Sequence, residues 1–165
     1  AVITNPDGSV NEEWATVVKT ALSAMREQLI SYQERLSAQL LESGVDAWCR
    51  MNYEYDGTPV YFVMKHRDST RIKQLFDFNS SAVKAFDTTD FYIHQNGNNV
   101  AWIPNCVQKG LAVEWLLKKL REERGVFPVL GLGDSLSDHT FMKHCHWFGM
   151  PSKSQFADAV SQKLF

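Results

Sequence analysis

The sequence predicts a mixed α/β protein, and three features of its pattern support this prediction. Segments with apolar residues at three-and-four spacing alternate with short strand-like runs, as expected where helices and strands follow one another. Two pairs of strand-like runs flank the turn sequences Asp56-Gly57 and Asn96-Gly97-Asn98, which are typical of antiparallel hairpins. The third feature is the apolar run at residues 127–130, which leads directly into Gly-Leu-Gly-Asp-Ser-Leu-Ser-Asp and then into a helical pattern.

The composition indicates a folded chain without a strong charge field. Hydrophobic residues make up 44% of the 165 residues, which is enough to form a core in one domain or two small ones. The formal net charge of −2 gives no support for nucleic-acid binding or for attraction to a membrane surface. Three widely spaced cysteines favour reduced thiols over a disulfide framework, and no segment resembles a signal peptide or a membrane span. We therefore expect a cytoplasmic protein with neither nucleic acid nor membrane as a partner.

The first ten residues read as the end of a strand followed by a tight turn. Pro6 fixes its own φ angle, and Asp7-Gly8 readily accepts turn geometry. Because the chain starts inside this apparent strand, we expect that a preceding segment of the protein is missing. Residues 1–10 are then the edge of a core domain.

Residues 11–104 follow the order helix, hairpin, helix, hairpin. The first helical segment carries an apolar stripe from Trp14 to Leu40, with an interruption expected near Ser31 and an end at Gly44. Hairpins are predicted at 48–66 and 91–103, with a less regular helix at 69–86 between them. Two such helix-plus-hairpin units can form one four-stranded antiparallel sheet with both helices on a single face.

Residues 105–165 return to an alternating α/β pattern. A strong helix at 108–124 precedes the apolar run at 127–130, which has the composition of a strand buried on both faces. A short helix, a strand at 146–149 and a last helix at 154–164 follow. Two strands make a very narrow parallel sheet, so we expect further strands to be supplied from elsewhere.

Two carboxylates stand at the turn that follows the predicted buried strand. Asp134 and Asp138 lie at the carboxyl end of a parallel strand, where open α/β folds bind their ligands. Together they could hold Mg²⁺, but the spacing equally allows Asp138 to cap the next helix and Asp134 to form the turn. Lys109 lies in the first turn of the preceding helix, where its positive charge interacts unfavourably with the helix dipole. Its side chain is therefore either solvated or directed toward an anion.

Taken together, the segments 109–112 and 133–138 resemble the third and fourth motifs of the haloacid dehalogenase superfamily of phosphohydrolases. Members with a C2-type α/β cap, of the Cof and sucrose-phosphate-phosphatase-like groups, are the most similar. The resemblance implies that Lys109 steadies the nucleophile and the phosphoryl charge. It also implies that Asp134 binds Mg²⁺ and that Asp138 does so directly or through water. Ser137 stands where many relatives have a phosphate-contacting Asn, so it is the candidate phosphate-binding residue.

The resemblance also implies a division of the chain and a role for each part. Residues 11–104 would be the cap, with its four-stranded antiparallel sheet, and residues 105–165 the C-terminal part of a Rossmann-like core. A cap closes over the site and selects the substrate, which makes Lys65, Arg67 and His94 candidates for substrate contact. A charged, solvated strand edge explains these three residues equally well.

The nucleophile of this family is the first aspartate of an Asp-x-Asp motif, which forms an aspartyl-phosphate. No Asp-x-Asp occurs in the sequence, and Glu54-Tyr55-Asp56 reads instead as a hairpin turn. We therefore expect the first two motifs to lie on an upstream core segment, which would be a partner of this chain. The chain alone is then expected not to turn over substrate. For the intact protein we expect a Mg²⁺-dependent phosphatase of small phosphorylated metabolites, such as sugar phosphates.

Two alternatives of other classes stay open. The letters Gly-Asp-Ser-Leu-Ser also resemble the first block of GDSL-type serine esterases, with Ser135 as nucleophile, although no Asp-x-x-His pair follows near the carboxyl end. A non-catalytic binding module derived from a phosphatase would explain the missing catalytic residues. The histidines and the cysteine at 139–146 lack the helical four-residue spacing of a zinc site.

Overall fold

The computed structural model describes residues 2–164, without the side chain of Leu164. The helices are α1 (Glu12–Ser43), α2 (Ile72–Ala82), α3 (Lys109–Arg124), α4 (His139–Met142) and α5 (Gln155–Leu164). The strands are β1 (Ala47–Tyr53), β2 (Pro59–His66), β3 (Phe91–Asn96), β4 (Asn99–Pro104), β5 (Leu130–Leu132) and β6 (Trp147–Gly149). These elements confirm the predicted mixed α/β class.

The chain divides into two compact units. One unit combines the residues up to 15 with those from 107 onward, and the other contains residues 16–106. The sequence pattern predicts boundaries at 10/11 and 104/105, a few residues before those of the two compact units. None of the helices within residues 2–164 is both long enough and apolar enough to cross a membrane.

The unit formed by residues 16–106 is built on one four-stranded sheet in the order β1-β2-β4-β3, with every pair antiparallel. Both predicted hairpins are present. In the first, Gly57 has a φ of +79°, a left-handed conformation that glycine adopts without a steric penalty. The two hairpins meet through β2 and β4, so their apolar strands lie at the centre of the sheet.

Helix α1 is continuous, and the interruption expected near Ser31 is absent from it. Leu22, Leu29 and Leu36 recur every seven residues along one face of the helix and are fully buried. Ser31 is exposed on another face, where a polar residue interrupts no apolar contact. The burial of the leucine stripe outweighs the weak helix propensity of a single serine.

Both α1 and α2 pack on the same face of this sheet, and Trp102 on β4 marks the centre of the contact. Its ring is buried and meets Tyr32 of α1 edge-on, at 6.3 Å between centroids. Its indole Nε1 donates a 2.9 Å hydrogen bond to Oδ1 of Asn79 on α2. The opposite face of the sheet carries no helix of this unit.

The other unit contains a two-stranded parallel sheet, in which β5 pairs with β6. The prediction that residues 127–130 form a strand buried on both faces is wrong, because β5 begins only at Leu130. The side chains of Leu130 and Leu132 are 63% and 70% exposed, whereas Gly131 is buried against Cys145 and Met142. Among the described residues the strand has one neighbour and one covered face, which is why its two leucines stay exposed.

The amino-terminal residues of this unit form a turn rather than a regular strand. Thr4 and Val10 make an isolated antiparallel bridge, and the amide of Gly8 donates to the carbonyl oxygen of Asn5 at 2.9 Å. The Asp7 carboxylate caps the turn by accepting from the amide and the hydroxyl of Ser9. The predicted tight turn is therefore present, while Ala1 lies outside the described residues.

Candidate functional site

The site lies at the carboxyl end of β5, where the first turn of α3 meets the segment that leads into α4. The close approach depends on Gly110, which is buried in α3. A Cβ atom at Gly110 would lie 2.6 Å from the backbone oxygen of Thr140, well inside van der Waals contact. Only a residue without a side chain lets the two helices come this close, and the approach brings Lys109 to the turn at residues 133–138.

The turn at residues 133–138 is closed by a capping box. Ser135 and Asp138 cap each other: each side chain accepts from the backbone of the other residue. Oδ2 of Asp138 accepts from the amides of Asp134 and Ser135 at 3.0 and 3.1 Å. Gly133 permits this closure, because a Cβ there would lie 2.6 Å from Cβ of Asp138 and 2.7 Å from Sδ of Met142.

An ion pair joins the two motif segments. Nζ of Lys109 donates a 2.6 Å hydrogen bond to Oδ1 of Asp138. The Asp138 side chain is only 4% exposed, whereas that of Lys109 is 60% exposed. Burial alone would raise the pKa of the Asp138 carboxyl. The Lys109 ammonium and the amides of Ser135 and Asp134 outweigh burial and hold that pKa well below its ordinary value, so Asp138 is ionised at neutral pH.

The two residues predicted to bind Mg²⁺ are in different environments. Asp134 is exposed, and its carboxylate makes no hydrogen bond or ion pair with any side chain or backbone group of residues 2–164. Such a carboxylate fits a Mg²⁺ ligand. Both oxygens of Asp138 are engaged by protein donors. The described residues contain no group of three or more His, Cys, Asp or Glu side chains that could hold a metal ion.

Ser137 and Ser135 contact each other across the turn. Their hydroxyl oxygens lie 2.7 Å apart, and the carbonyl oxygen of Ser137 accepts from the Thr140 hydroxyl at 2.8 Å. The Ser137 side chain is half-buried beside the carboxyl end of β5. The esterase alternative needs a histidine hydrogen-bonded to the Ser135 hydroxyl. Within the described residues, the partners of the Ser135 side chain are Ser137 and the backbone of Asp138.

Lys65 and His94 lie on the uncovered face of the sheet in the unit of residues 16–106. Lys65 lies between the buried residues Met64 and His66, so the alternation of strand side chains places it on the opposite face. His94 shares that face, and its Nδ1 lies 3.1 Å from the hydroxyl of Tyr92. The four strands contain Arg50, Lys65 and His94 on this face and His66 on the other, but no Asp or Glu.

Arg67, the third residue predicted to contact substrate, lies just beyond the end of β2. Its Nε is 3.1 Å from Oδ1 of Asp46, and both side chains are largely exposed. The backbone amide of Arg67 also donates to the carbonyl oxygen of Asp46 at 2.9 Å. Arg67 thus ties the start of β1 to the end of β2, while the uncovered face carries the other two candidates.

Sequence reasoning selected Lys109, Asp134, Ser137 and Asp138, and the structure brings all four to one strand-to-helix turn. It missed Gly110 and Gly133, which allow the lysine and the carboxylates to approach one another. A glycine directly before Asp134 and another directly after Lys109 were the available signal. The backbone and side-chain atoms that each glycine contacts become its neighbours only on folding.

Comparisons with known proteins leave the family of the chain open. No protein-family model matches the sequence, and no curated protein matches it. Among solved structures, the chain is similar to a haloacid dehalogenase-like hydrolase from Bacteroides thetaiotaomicron, at 14% sequence identity and a TM-score of 0.39. The match covers 64% of this chain, and the chain spans 42% of the length of that structure. A similarity of this extent identifies neither a family nor an activity.

Proposed function

We propose that the chain is part of a Mg²⁺-dependent phosphohydrolase of the haloacid dehalogenase type, which acts on small phosphorylated metabolites. The observation that carries the proposal is the Lys109–Asp138 ion pair beside the exposed carboxylate of Asp134. An accessible ammonium, an accessible carboxylate and a turn at the carboxyl end of a parallel strand suit a phosphate monoester.

Lys109 is the group that acts on the phosphate in this proposal. One N–H of its ammonium is held by Asp138, and an ammonium group has two further donors. These donors are directed to the non-bridging oxygens, where negative charge must be stabilised during phosphoryl transfer. Because Asp138 is fixed by backbone amides, the lysine is held in place before substrate arrives, which lowers the cost of ordering its flexible side chain.

Asp134 is the described residue whose carboxylate is suited to bind Mg²⁺ in this proposal. Mg²⁺ favours one or two carboxylates together with water and phosphate oxygens, and when bound it supplies electrostatic stabilisation of the phosphoryl group. The remaining ligands have to come from water, from the substrate or from protein groups outside residues 2–164. Asp134 contributes an exposed negative charge at the same turn in which Asp138 holds Lys109.

The nucleophile is proposed to lie outside these 165 residues. The sequence contains no Asp-x-Asp, and Glu54-Tyr55-Asp56 belongs to the β1–β2 hairpin, where Asp56 pairs with Lys19 of α1. An aspartate supplied by a further core segment would attack phosphorus and displace the alcohol of the ester. Water would then attack the aspartyl-phosphate and release inorganic phosphate.

The charges on the uncovered sheet face of the other unit support the proposal that the substrate is anionic. Arg50, Lys65 and His94 lie on this face, and the four strands carry no acidic residue that would repel a phosphorylated molecule. The indole of Trp48 also lies there, with the guanidinium of Arg50 4.8 Å from its ring centroid. A face with cations, hydrogen-bond donors and aromatic rings suits a sugar phosphate better than an apolar substrate.

Hydrolysis of 4-nitrophenyl phosphate tests the proposal. The full translation product of the gene and the 165-residue chain are compared in Mg²⁺ and in EDTA, with the intact mass of each preparation measured. We expect Mg²⁺-dependent hydrolysis by the full product and none by the shorter chain. The changes Lys109→Ala and Asp134→Asn should each lower kcat/KM at least about 100-fold, as expected for groups that stabilise transition-state charge.

Lys118→Ala is the matched control, because Lys118 is an exposed lysine on the same helix. It should leave kcat/KM unchanged. Absence of Mg²⁺-dependent hydrolysis in the full product would refute the proposal. Hydrolysis by the 165-residue chain that is lost in Asp134→Asn would instead place the nucleophile within this chain, with Glu54 and Asp56 as the residues to test.

A further inference from the structure

We propose that Asp138 is the positioning residue for Lys109 and for the turn at residues 133–138, and that it does not bind the metal ion. The proposal rests on the proposed function, because it assigns a role within that same site. It replaces the expectation that Asp134 and Asp138 act together as metal ligands. The geometry separates the two carboxylates into one that faces outward and one that is committed to the protein.

Three protein donors occupy the two oxygens of Asp138. The Lys109 ammonium is 2.6 Å from Oδ1, and the amides of Asp134 and Ser135 are 3.0 and 3.1 Å from Oδ2. Moving this carboxylate toward a metal ion would leave two amides and an ammonium without their acceptor. Charged groups form the strongest hydrogen bonds, so this loss would oppose metal binding at Asp138.

The surroundings of Asp138 also exclude a hydrated ion. Its side chain is 4% exposed, whereas Mg²⁺ gives up its water ligands reluctantly and usually keeps several of them. Cβ of Asp138 lies only 2.6 Å from the position that a Cβ on Gly133 would take, so the turn packs directly against it. A divalent cation in direct contact with Asp138 would also lie close to the positive charge of Lys109.

The arrangement divides the work between the two aspartates. Asp134, which is exposed and whose carboxylate makes no hydrogen bond or ion pair within residues 2–164, remains available to a cation. Asp138 holds Lys109 by one N–H, while the 60% exposure of the lysine side chain leaves the rest of its ammonium accessible to an anion. The aspartate would therefore act on the phosphate only through the lysine that it positions.

Proton exchange of the Lys109 ammonium group provides a direct test. A hydrogen-bonded ammonium exchanges its protons with water more slowly than a free one, and ¹⁵N NMR measures this rate for individual lysines. The Lys109 signal is assigned by its loss in Lys109→Arg. In Asp138→Asn we expect exchange at Lys109 to become several-fold faster, while Asp134→Asn leaves it unchanged. Lys118, on the same helix, is the reference in every sample.

The same measurement on the full translation product, with added MgCl₂, tests whether Asp138 takes the metal ion. Mg²⁺ in direct contact with Asp138 would place a second positive charge beside Lys109, weaken the hydrogen bond of its ammonium group and speed exchange in the wild-type protein. We expect no change. Equal exchange in wild type and Asp138→Asn, or faster exchange on addition of Mg²⁺, would overturn the proposal.

A wild-type measurement covers the case in which Asp138→Asn fails to fold. The scalar coupling across the hydrogen bond, between Nζ of Lys109 and Cγ of Asp138, should be detectable in the unmodified chain and should persist with Mg²⁺. Its absence would count against the proposal. None of these measurements depends on phosphate hydrolysis, so failure of the proposed activity and failure of the positioning role are distinguishable.

Discussion

Nζ of Lys109 lies 2.6 Å from Oδ1 of Asp138, although 29 positions of sequence separate the two residues. The contact depends on two glycines: Gly110 lets α3 approach the backbone of Thr140, and Gly133 lets the turn close against Asp138. The two glycines thus permit the backbone packing on which this ion pair depends. The first prediction concerns one of these glycines.

Replacing Gly133 by alanine should loosen the turn and destabilise the segment around α4. The new Cβ would lie 2.6 Å from Cβ of Asp138 and 2.7 Å from Sδ of Met142, both in buried side chains. Overpacking of this kind costs about 1–3 kcal/mol. Hydrogen exchange followed by mass spectrometry should show faster exchange in peptides that cover residues 133–145.

Gly149→Ala is the control for this change. Its Cβ would meet only Cδ2 of Leu132, at 3.2 Å, and that leucine is exposed and can move aside. We expect little change in exchange for this variant. Equal effects of the two substitutions would show that the contact between Gly133 and Asp138 has no special importance.

A second prediction concerns the buried hydrogen bond between Trp102 and Asn79. Asn79→Ala removes the acceptor and leaves the indole N–H of Trp102 buried without a partner. An unsatisfied buried donor costs about 1–3 kcal/mol, so urea should unfold the sheet unit at a lower concentration. Ser80→Ala, at the next position of α2 and exposed, should change the midpoint by much less. Similar midpoints for the two variants would contradict the prediction.

The sequence predicted most of the architecture because the elements of residues 16–106 are specified locally. Asp56-Gly57 fixes the first hairpin, and the leucines of α1 repeat with helical spacing. The environment of β5 was not predictable in the same way. Its apolar composition is that of a buried strand, but burial depends on neighbouring strands, and β5 pairs with β6 alone among the described residues.

The position of the candidate site could be predicted from the sequence, but the different environments of its two aspartates could not. The strand-to-helix turn and its two aspartates are visible in the sequence, as is the lysine at the start of α3. Which aspartate faces solvent depends on the amides and the ammonium that surround Asp138, and these are brought together only by folding. Spacing alone therefore left the capping and metal roles of Asp138 equally open.

A third prediction concerns the pH dependence of Asp56. Its pKa is held well below the ordinary value by the Lys19 ammonium first, and then by the hydroxyl and amide of Thr58. A lowered pKa in the folded state means that the ion pair stabilises the fold above the ordinary pKa of about 4 and that this contribution is lost as the pH falls. Lys19→Ala should raise the Asp56 pKa in an NMR titration, while leaving it below the ordinary value because Thr58 remains. An unchanged pKa would show that the ion pair does not persist in solution.

A fourth prediction follows from the exposed leucines of β5. Leu130 and Leu132 are 63% and 70% exposed on a strand whose second edge is unpaired within the described residues, and Trp147 on β6 is also exposed. Unpaired strand edges with apolar side chains promote association between chains. The isolated chain should therefore show a sedimentation coefficient that rises with concentration, and the double change Leu130→Lys with Leu132→Lys should suppress this rise. Val126→Lys is the matched control, since Val126 is 87% exposed but lies outside the strand. If the wild-type chain sediments as a monomer at all concentrations, or if Val126→Lys suppresses association equally well, the edge of β5 is not the site of association.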